Sequence, residues 1–435
     1  MTVYGTVGGV NPNILTVEGG AGEDLAKGDI VSWVEGKIKK TNSGKGAFGF
    51  LEPEVLEPTA TSQHHLVQLG GNKLMVSYVK DGDSNTTFMR VFTVNDGSIS
   101  SVGNEYSMGN INNHWIGEVG TDVAILAYNI NGVNNGAAKV LTVAGTVISM
   151  GSQTIFYTTT SEKISSVVID VNKLILTFRA GGTVGKACVL TVSGTNVSAG
   201  ASADITTYSS GLVSKSVAKI DVNKAVVCYA DPGSSNHLFC RVYSATGATL
   251  SVSAGVELVG NNISNISVGQ LDTDKIIVSY QDLSDSKWYA GIVAVSGTTA
   301  TWQGANELSE SSFEGNVHVM SDTEVHVVHR FNQAVVASIL SISGTTITAS
   351  LPTVLYGYSK VPISIALNGQ LILTFEQTGD DYTLVQSAIM TAENILGVVS
   401  KDAVLNADVE VITKEVVGGF TGLTCNSPCY YNPFT

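Results

Sequence analysis

The sequence predicts an all-β protein: a seven-bladed β-propeller of four-stranded antiparallel blades, with a small β module made from the two termini. Three observations carry this prediction. The first is a pattern repeated seven times, an apolar-rich run that follows a turn and closes on an aromatic or its equivalent. It reads Lys73-LMVS-Tyr78, Val123-AILA-Tyr128, Lys173-LILT-Phe178, Lys224-AVVC-Tyr229, Lys275-IIVS-Tyr280, Glu324-VHVV-His329 and Gln370-LILT-Phe375. From Tyr78 onward the closing residues are spaced by 50, 50, 51, 51, 49 and 46 positions. A period of that size marks a solenoid, a propeller or an array. The second observation is composition. Val, Ser and Thr are common, Gly is abundant, and no 12-residue stretch shows helical apolar spacing, which together favour strands and tight turns. The third is a Gly turn fixed within each unit, as in Asp96-Gly97, Ala144-Gly145, Ser193-Gly194, Thr246-Gly247, Ser296-Gly297 and Ser343-Gly344. Gly reaches positive φ without steric cost, so it suits a tight hairpin.

Taken in order, residues 1–60 form an N-terminal arm, residues 61–410 the ring and residues 411–435 a tail. Within the arm, Leu25-AKGDIVSWVEGKIKK reads as two short strands around a Glu35-Gly36 turn. The segment Glu52-PEVLEP resembles outer strands such as Gly255-VELVG, so it is a candidate to cross to the last blade and clasp the ring, the alternative being that the seventh unit supplies its own outer strand. The fourth unit displays the blade pattern best. Val217-AKI-Asp221 is the first strand and Lys224-AVVC-Tyr229 the second; the loop Ala230-DPGSSN leads to the third, His237-LFCRVYS, and the outer strand starts near Ala248. The second strand is apolar on both faces, as expected for a sheet covered on both sides. The repeated aromatics then fill the junctions between blades, and His329 is a satisfied core histidine in their place. A β-solenoid has shorter coils, and a string of sandwiches would pair odd with even units.

Charge and composition restrict the function. The net charge is −14 with no basic cluster, so neither nucleic acid nor an anionic membrane is an expected partner. The N-terminus lacks the basic start and apolar core of a secretory signal, and no run approaches the roughly 18 apolar residues of a membrane span. Cys188, Cys228 and Cys240 lie in apolar strands and are expected as buried thiols, with the last two on consecutive strands. Cys425-NSP-Cys429 is expected to hold free thiols rather than a disulfide or metal.

No phosphate loop, HExxH zinc motif, GxSxG elbow or Asp-box is present. No catalytic residue, metal ligand or cofactor is therefore expected. His326 and His329 stand three apart on one strand and face opposite ways. Acidic residues collect in the second-to-third-strand loops, at Asp81, Asp83, Asp231, Asp282, Asp285, Asp380 and Asp381. Ordinary solvated turns account for them. In a four-stranded meander these variable loops share one face with the links between blades, and binding concentrates on such loops. The expected binding residues there are His114, Trp115, Tyr208, Trp288, Tyr356, Tyr358 and Asp282, with His64 and His65 on the same side.

The ends carry a resemblance. Lys27-GDIV, Glu35-GKI, Gly422-LT and Tyr430-Tyr431 resemble a small β module of bacteriophage fibre and other virion proteins. Asn426-SPC stands where that module has a Pro-Gly turn. The repeats are similar to propeller-type repeats, with runs such as KIIVSY and VSGTT, of phage tail and structural proteins. The resemblance implies a non-enzymatic virion protein, a tail fibre or head or tail appendage. Its propeller would be displayed for host attachment, binding a receptor protein or glycan. The implied localisation is the virion, with other virion proteins as partners through the terminal module and assembly as a homo-oligomer. A purely structural propeller, a polysaccharide-cleaving enzyme and a secreted lectin are the alternatives.

Overall fold

A computed structural model describes residues 61–80, 86–95, 98–182, 184–205, 216–310, 312–331 and 334–350, together with the strands named below at either end. The chain divides into two compact units, residues 51–387 and residues 1–50 with 388–435.

The larger unit is an all-β propeller. Blade one consists of Thr61–Gln68, Lys73–Lys80, Thr86–Asn95 and an outer strand in two segments, Ser98–Val102 and Tyr106–Gly109. Blade two repeats this with Ile111–Gly120, Val123–Ile130, Gly136–Ala144, and Val147–Met150 with Thr154–Tyr157. Blade three comprises Ser161–Asp170, Lys173–Ala180, Val184–Ser193, and Asn196–Ala199 with Ala203–Asp204. Blade four comprises Val217–Asp221, Lys224–Asp231, His237–Thr246, and Thr249–Val252 with Val256–Val259. Blade five has a continuous outer strand, Thr299–Glu310, after Ile263–Asp272, Lys275–Asp282 and Lys287–Ser296. Blade six comprises Ser312–Ser321, Glu324–Phe331, Ala334–Ser343, and Thr346–Ala349 with Thr353–Tyr356.

The expectation of seven like blades is corrected: six blades are made wholly of consecutive strands. The seventh repeat supplies only Ile363–Leu367, Gln370–Glu376 and Thr383–Met390 to its sheet. The outer strand there comes from before blade one in two segments, Phe48–Phe50 and Glu54–Glu57, with Ala388 opposite Phe50, Thr383 opposite Glu57 and Leu384 opposite Val55. Ile363–Leu367 lies against the first strands of both blade six and blade one. Leu367 and Ile372 pack with Leu74, Val76, Tyr78 and Phe92. The segment around Glu52-PEVLEP thus closes the ring.

The core lies between blades. The second strands are buried almost end to end, because both sheet faces meet a neighbouring blade. The repeated residues Tyr78, Tyr128, Phe178, Tyr229, Tyr280 and His329 are all buried. Glycines 145, 194, 247, 297 and 344, in the third-to-outer hairpins, have φ between 60° and 63°.

The smaller unit draws strands from both ends of the chain. Its sheet runs in the order Lys37–Lys40, Ile30–Val34, Gly397–Val399, Val409–Ile412, Ile14–Val17, Thr2–Gly5, Cys429–Tyr430. The hairpin around Glu35-Gly36 is present, with Val34 opposite Lys37. The propeller boundary expected at 410 falls at 387, because Gly397–Val399 and Val409–Ile412 pair in this other sheet.

Candidate binding site

The first strand of each blade starts at the face of the variable loops and runs down the inner edge of the sheet. Near its start the ladder slips, between Ser62 and His65, Asn112 and Trp115, Glu162 and Ser165, and Ser264 and Ser267. The slip is a bulge around one left-handed residue, at Gln63 (φ 51°), Asn113 (46°), Lys163 (50°) and Asn265 (51°). Non-glycine residues rarely adopt this conformation, and Asn tolerates it best. A bulge re-aims the side chains beside it. The following residue, His64, His114, Ile164 or Ile266, turns into the core. The next one, at the inner edge, is His65, Trp115, Ser165 or Ser267.

Blades one and two place aromatic groups at these positions. His114 is buried, with Nε2 2.9 Å from Ser77 Oγ of blade one. Burial, and then the neighbouring His64, push its pKa down to about 3, so this imidazole is neutral at ordinary pH. His64 Nε2 lies 2.8 Å from Thr61 Oγ1. The His65 ring meets both His114 and Trp115 edge-on, at centroid distances of 4.8 and 4.9 Å. Trp115 is half-buried, and its Nε1 donates to Ser166 Oγ of blade three at 3.0 Å. Of the left-handed bulge residues on the first strands of blades one to three, Asn113 is half-buried and Gln63 and Lys163 are exposed. An indole held by its edge can stack on an apolar ring face, and exposed amide and ammonium groups are the donors that such a ring's polar rim would take.

Among the expected binding residues with described side chains, Trp115 alone retains partial exposure. The surface placement of three others is corrected. His114 fills a junction between blades, as above. Trp288 is fully buried, stacked parallel to His329 of blade six at 6.4 Å. A Cβ on Gly315 would lie 2.4 Å from its ring, so glycine makes room for the indole. Asp282 is buried and builds its loop, accepting from Asn261 Nδ2 at 2.5 Å and Ser284 N at 2.8 Å. Tyr356 ends a strand opposite Val335, but its side chain lies outside the described residues, as do Tyr208 and Tyr358.

The loop acids follow the turn-building expectation where they are described. Asp231 accepts from Gly233 N at 3.3 Å and Ser234 Oγ at 3.2 Å. Asp285 accepts from Lys287 N at 2.9 Å and Tyr289 Oη at 2.7 Å. Among the described residues, no group of three or more His, Cys, Asp or Glu is placed to hold a metal. The bulge residues escaped the sequence reading. Positions 63, 113 and 163 keep the 50-residue period, but Gln, Asn and Lys share no side-chain type that would have drawn attention to it.

No family model matches the sequence, and no curated protein does. Solved structures do resemble the fold. A protein from Lactobacillus plantarum is 11% identical with a TM-score of 0.50, over 77% of this chain and 97% of that one. The β-propeller domain of the Trilobed protease from Pyrococcus furiosus is 8% identical with a TM-score of 0.46, over 77% and 99%. An Aleuria aurantia lectin is 12% identical with a TM-score of 0.42, over 69% and 98%. At such identities the likeness concerns the fold alone. The similar structures include a lectin, a polysaccharide lyase, a sialidase and a peptidase.

Proposed function

We propose that this chain is a non-catalytic recognition protein whose propeller presents the inner-strand mouth of blades one to three to a surface ligand, a glycan or a receptor protein. The observation that carries the reading is Trp115: a half-buried indole, fixed by Ser166 and edged by His65. A large aromatic held rigid at a polar rim is the usual anchor of a binding surface. The adjoining groups are committed to structure rather than proton transfer, since His114 is buried, neutral and engaged with Ser77.

The virion setting belongs to the same proposal. It rests on the resemblance of Lys27-GDIV, Glu35-GKI and Tyr430-Tyr431 to a phage module, and strands from both ends entering one sheet support it. The terminal sheet would then join neighbouring virion proteins and further copies of this chain.

The test is binding of the labelled full-length chain to intact host cells and to arrayed glycans. Trp115→Ala is expected to weaken binding on the order of 10-fold or more, the size of one lost anchor, while the variant, destabilised by the lost packing of the indole, stays folded at the assay temperature by circular dichroism. Equal binding by the variant, or no binding to any cell or glycan, refutes the recognition reading. Release of reducing sugar from a glycan would replace it with an enzymatic one.

A further inference from the structure

Blade four holds two cysteines directly opposite each other. Cys228 on the second strand is the register partner of Cys240 on the third. Both are fully buried free thiols on the face that packs against blade five.

The hydrogen-bond pattern fixes what kind of pair this is. Cys228 N donates to Ser216 O at 2.8 Å, so the peptide groups of Cys228 point to the first strand, away from Cys240. On the third strand, Val242 N donates to Ser253 Oγ and Val242 O accepts from Ser253 N, both at 2.9 Å. Cys240 lies two residues earlier and therefore points its peptide groups outward as well. The two cysteines form a non-hydrogen-bonded pair, the closer of the two antiparallel pairings, with Cα atoms typically about 4.5 Å apart. That separation is inside the disulfide range of about 4.4–6.8 Å.

We infer that Cys228 and Cys240 are an oxidisable dithiol that closes as a cross-strand disulfide, stapling the second and third strands of blade four. The oxidant required is a small disulfide. One protein thiolate attacks it, forming a mixed disulfide and releasing one thiol. The second cysteine then attacks the mixed disulfide, closing the S–S bond and releasing the other thiol. Two S–H bonds are lost, one S–S bond forms, and the oxidant is reduced to two thiols. Burial pushes the Cys240 thiol up to about 12 and Cys228 well above its ordinary value, so the attacking thiolate is scarce in the closed ring. Closure therefore proceeds while the chain folds, or when the junction of blades four and five opens. The third buried thiol, Cys188 of blade three, lies opposite Leu176 and serves as the internal control.

The experiment is refolding of the full chain in a glutathione redox buffer poised oxidising or reducing, followed by alkylation in denaturant and peptide mapping without reductant. The expected result after oxidising refolding is a linked pair of peptides carrying Cys228 and Cys240, lighter by two hydrogens, with Cys188 alkylated. The oxidised protein should melt a few degrees higher than the reduced one, as a staple on a short loop implies. This difference should vanish in both Cys228→Ser and Cys240→Ser. Full alkylation of Cys228 and Cys240 after oxidising refolding, or linkage of either to another cysteine, overturns the inference.

Discussion

At the scale of single residues, buried imidazoles give the propeller an acid-sensitive stability. His114 falls from 6.5 to about 3 on folding and His329 from 6.5 to about 4, both through burial, with His64 adding to the effect at His114. A depressed histidine binds fewer protons folded than unfolded. Its contribution is complete above the unfolded value of 6.5 and disappears as pH drops towards the folded values. The melting temperature is therefore expected to fall between pH 7 and pH 4 by more in the parent chain than in His114→Gln, as calorimetry across that range would show. Glycines impose a different constraint at the outer strands. A Cβ on Gly151 would lie 1.8 Å from the backbone oxygen of Thr195, and one on Gly200 2.0 Å from that of Ala248. Each glycine thus meets the hairpin turn of the next blade at backbone distance. Gly151→Ala is expected to destabilise the protein by about 1–3 kcal/mol, the usual cost of overpacking, measured by urea denaturation.

At the scale of elements, the junctions between blades exchange volume across equivalent positions. Trp115 lies opposite Ala127 and Asn316 opposite Val328, each the residue before the repeated aromatic position. Gly315 therefore corresponds to His114. In the junction of blades one and two, His114 is large and the third strand supplies Thr87, opposite Val79. Between blades five and six the first strand has glycine, and the equivalent third-strand residue, opposite Gln281, is Trp288. The same space is filled from opposite sides. Trp288→Ala leaves glycine facing alanine, and its expected cost is about 3–5 kcal/mol, as for a buried aromatic truncation. A loss below 1 kcal/mol in equilibrium denaturation would contradict this packing. The bulges act on a smaller length. One left-handed residue turns its successor into the core and leaves the next at the inner edge, which is how His114 and Trp115, adjacent in sequence, acquire different roles.

At the scale of the whole molecule, the ring is closed by Glu54–Glu57, paired with the third strand of the last repeat. Its partner residues lie more than 320 positions away, so closure is far less local than any pairing inside the six consecutive blades and carries a larger loop-closure cost than they do. Along a strand, successive amides point alternately towards and away from a given neighbour. The register shifts here, with Leu56 the extra residue between Val55, opposite Leu384, and Glu57, opposite Thr383, so Val55→Pro is the substitution expected to remove a paired amide from this ladder, more than Leu56→Pro in the bulge. That variant is expected to melt lower and less cooperatively than the other, read by scanning calorimetry. Identical melting of both with the parent would exclude the strand as the closure.

The sequence by itself determined the β class, the repeat, the turn glycines and the burial of the recurrent aromatics, because each is a local pattern that recurs at one period. It also marked Trp115, although Ser166 and His65, which hold the indole, come from the two neighbouring blades. Tertiary structure decided the rest. Six self-contained blades with a composite closing sheet, in place of seven alike, follow from a pairing between residues near 55 and 384, which no local pattern encodes. Trp288 and Asp282 look like surface binders in sequence because they flank a loop. They are buried because Gly315 leaves a cleft for the indole and Asn261 reaches the carboxylate. Positions equivalent by period proved different in environment wherever the facing blade supplied a different volume, and packing across the junction is the interaction that settled them.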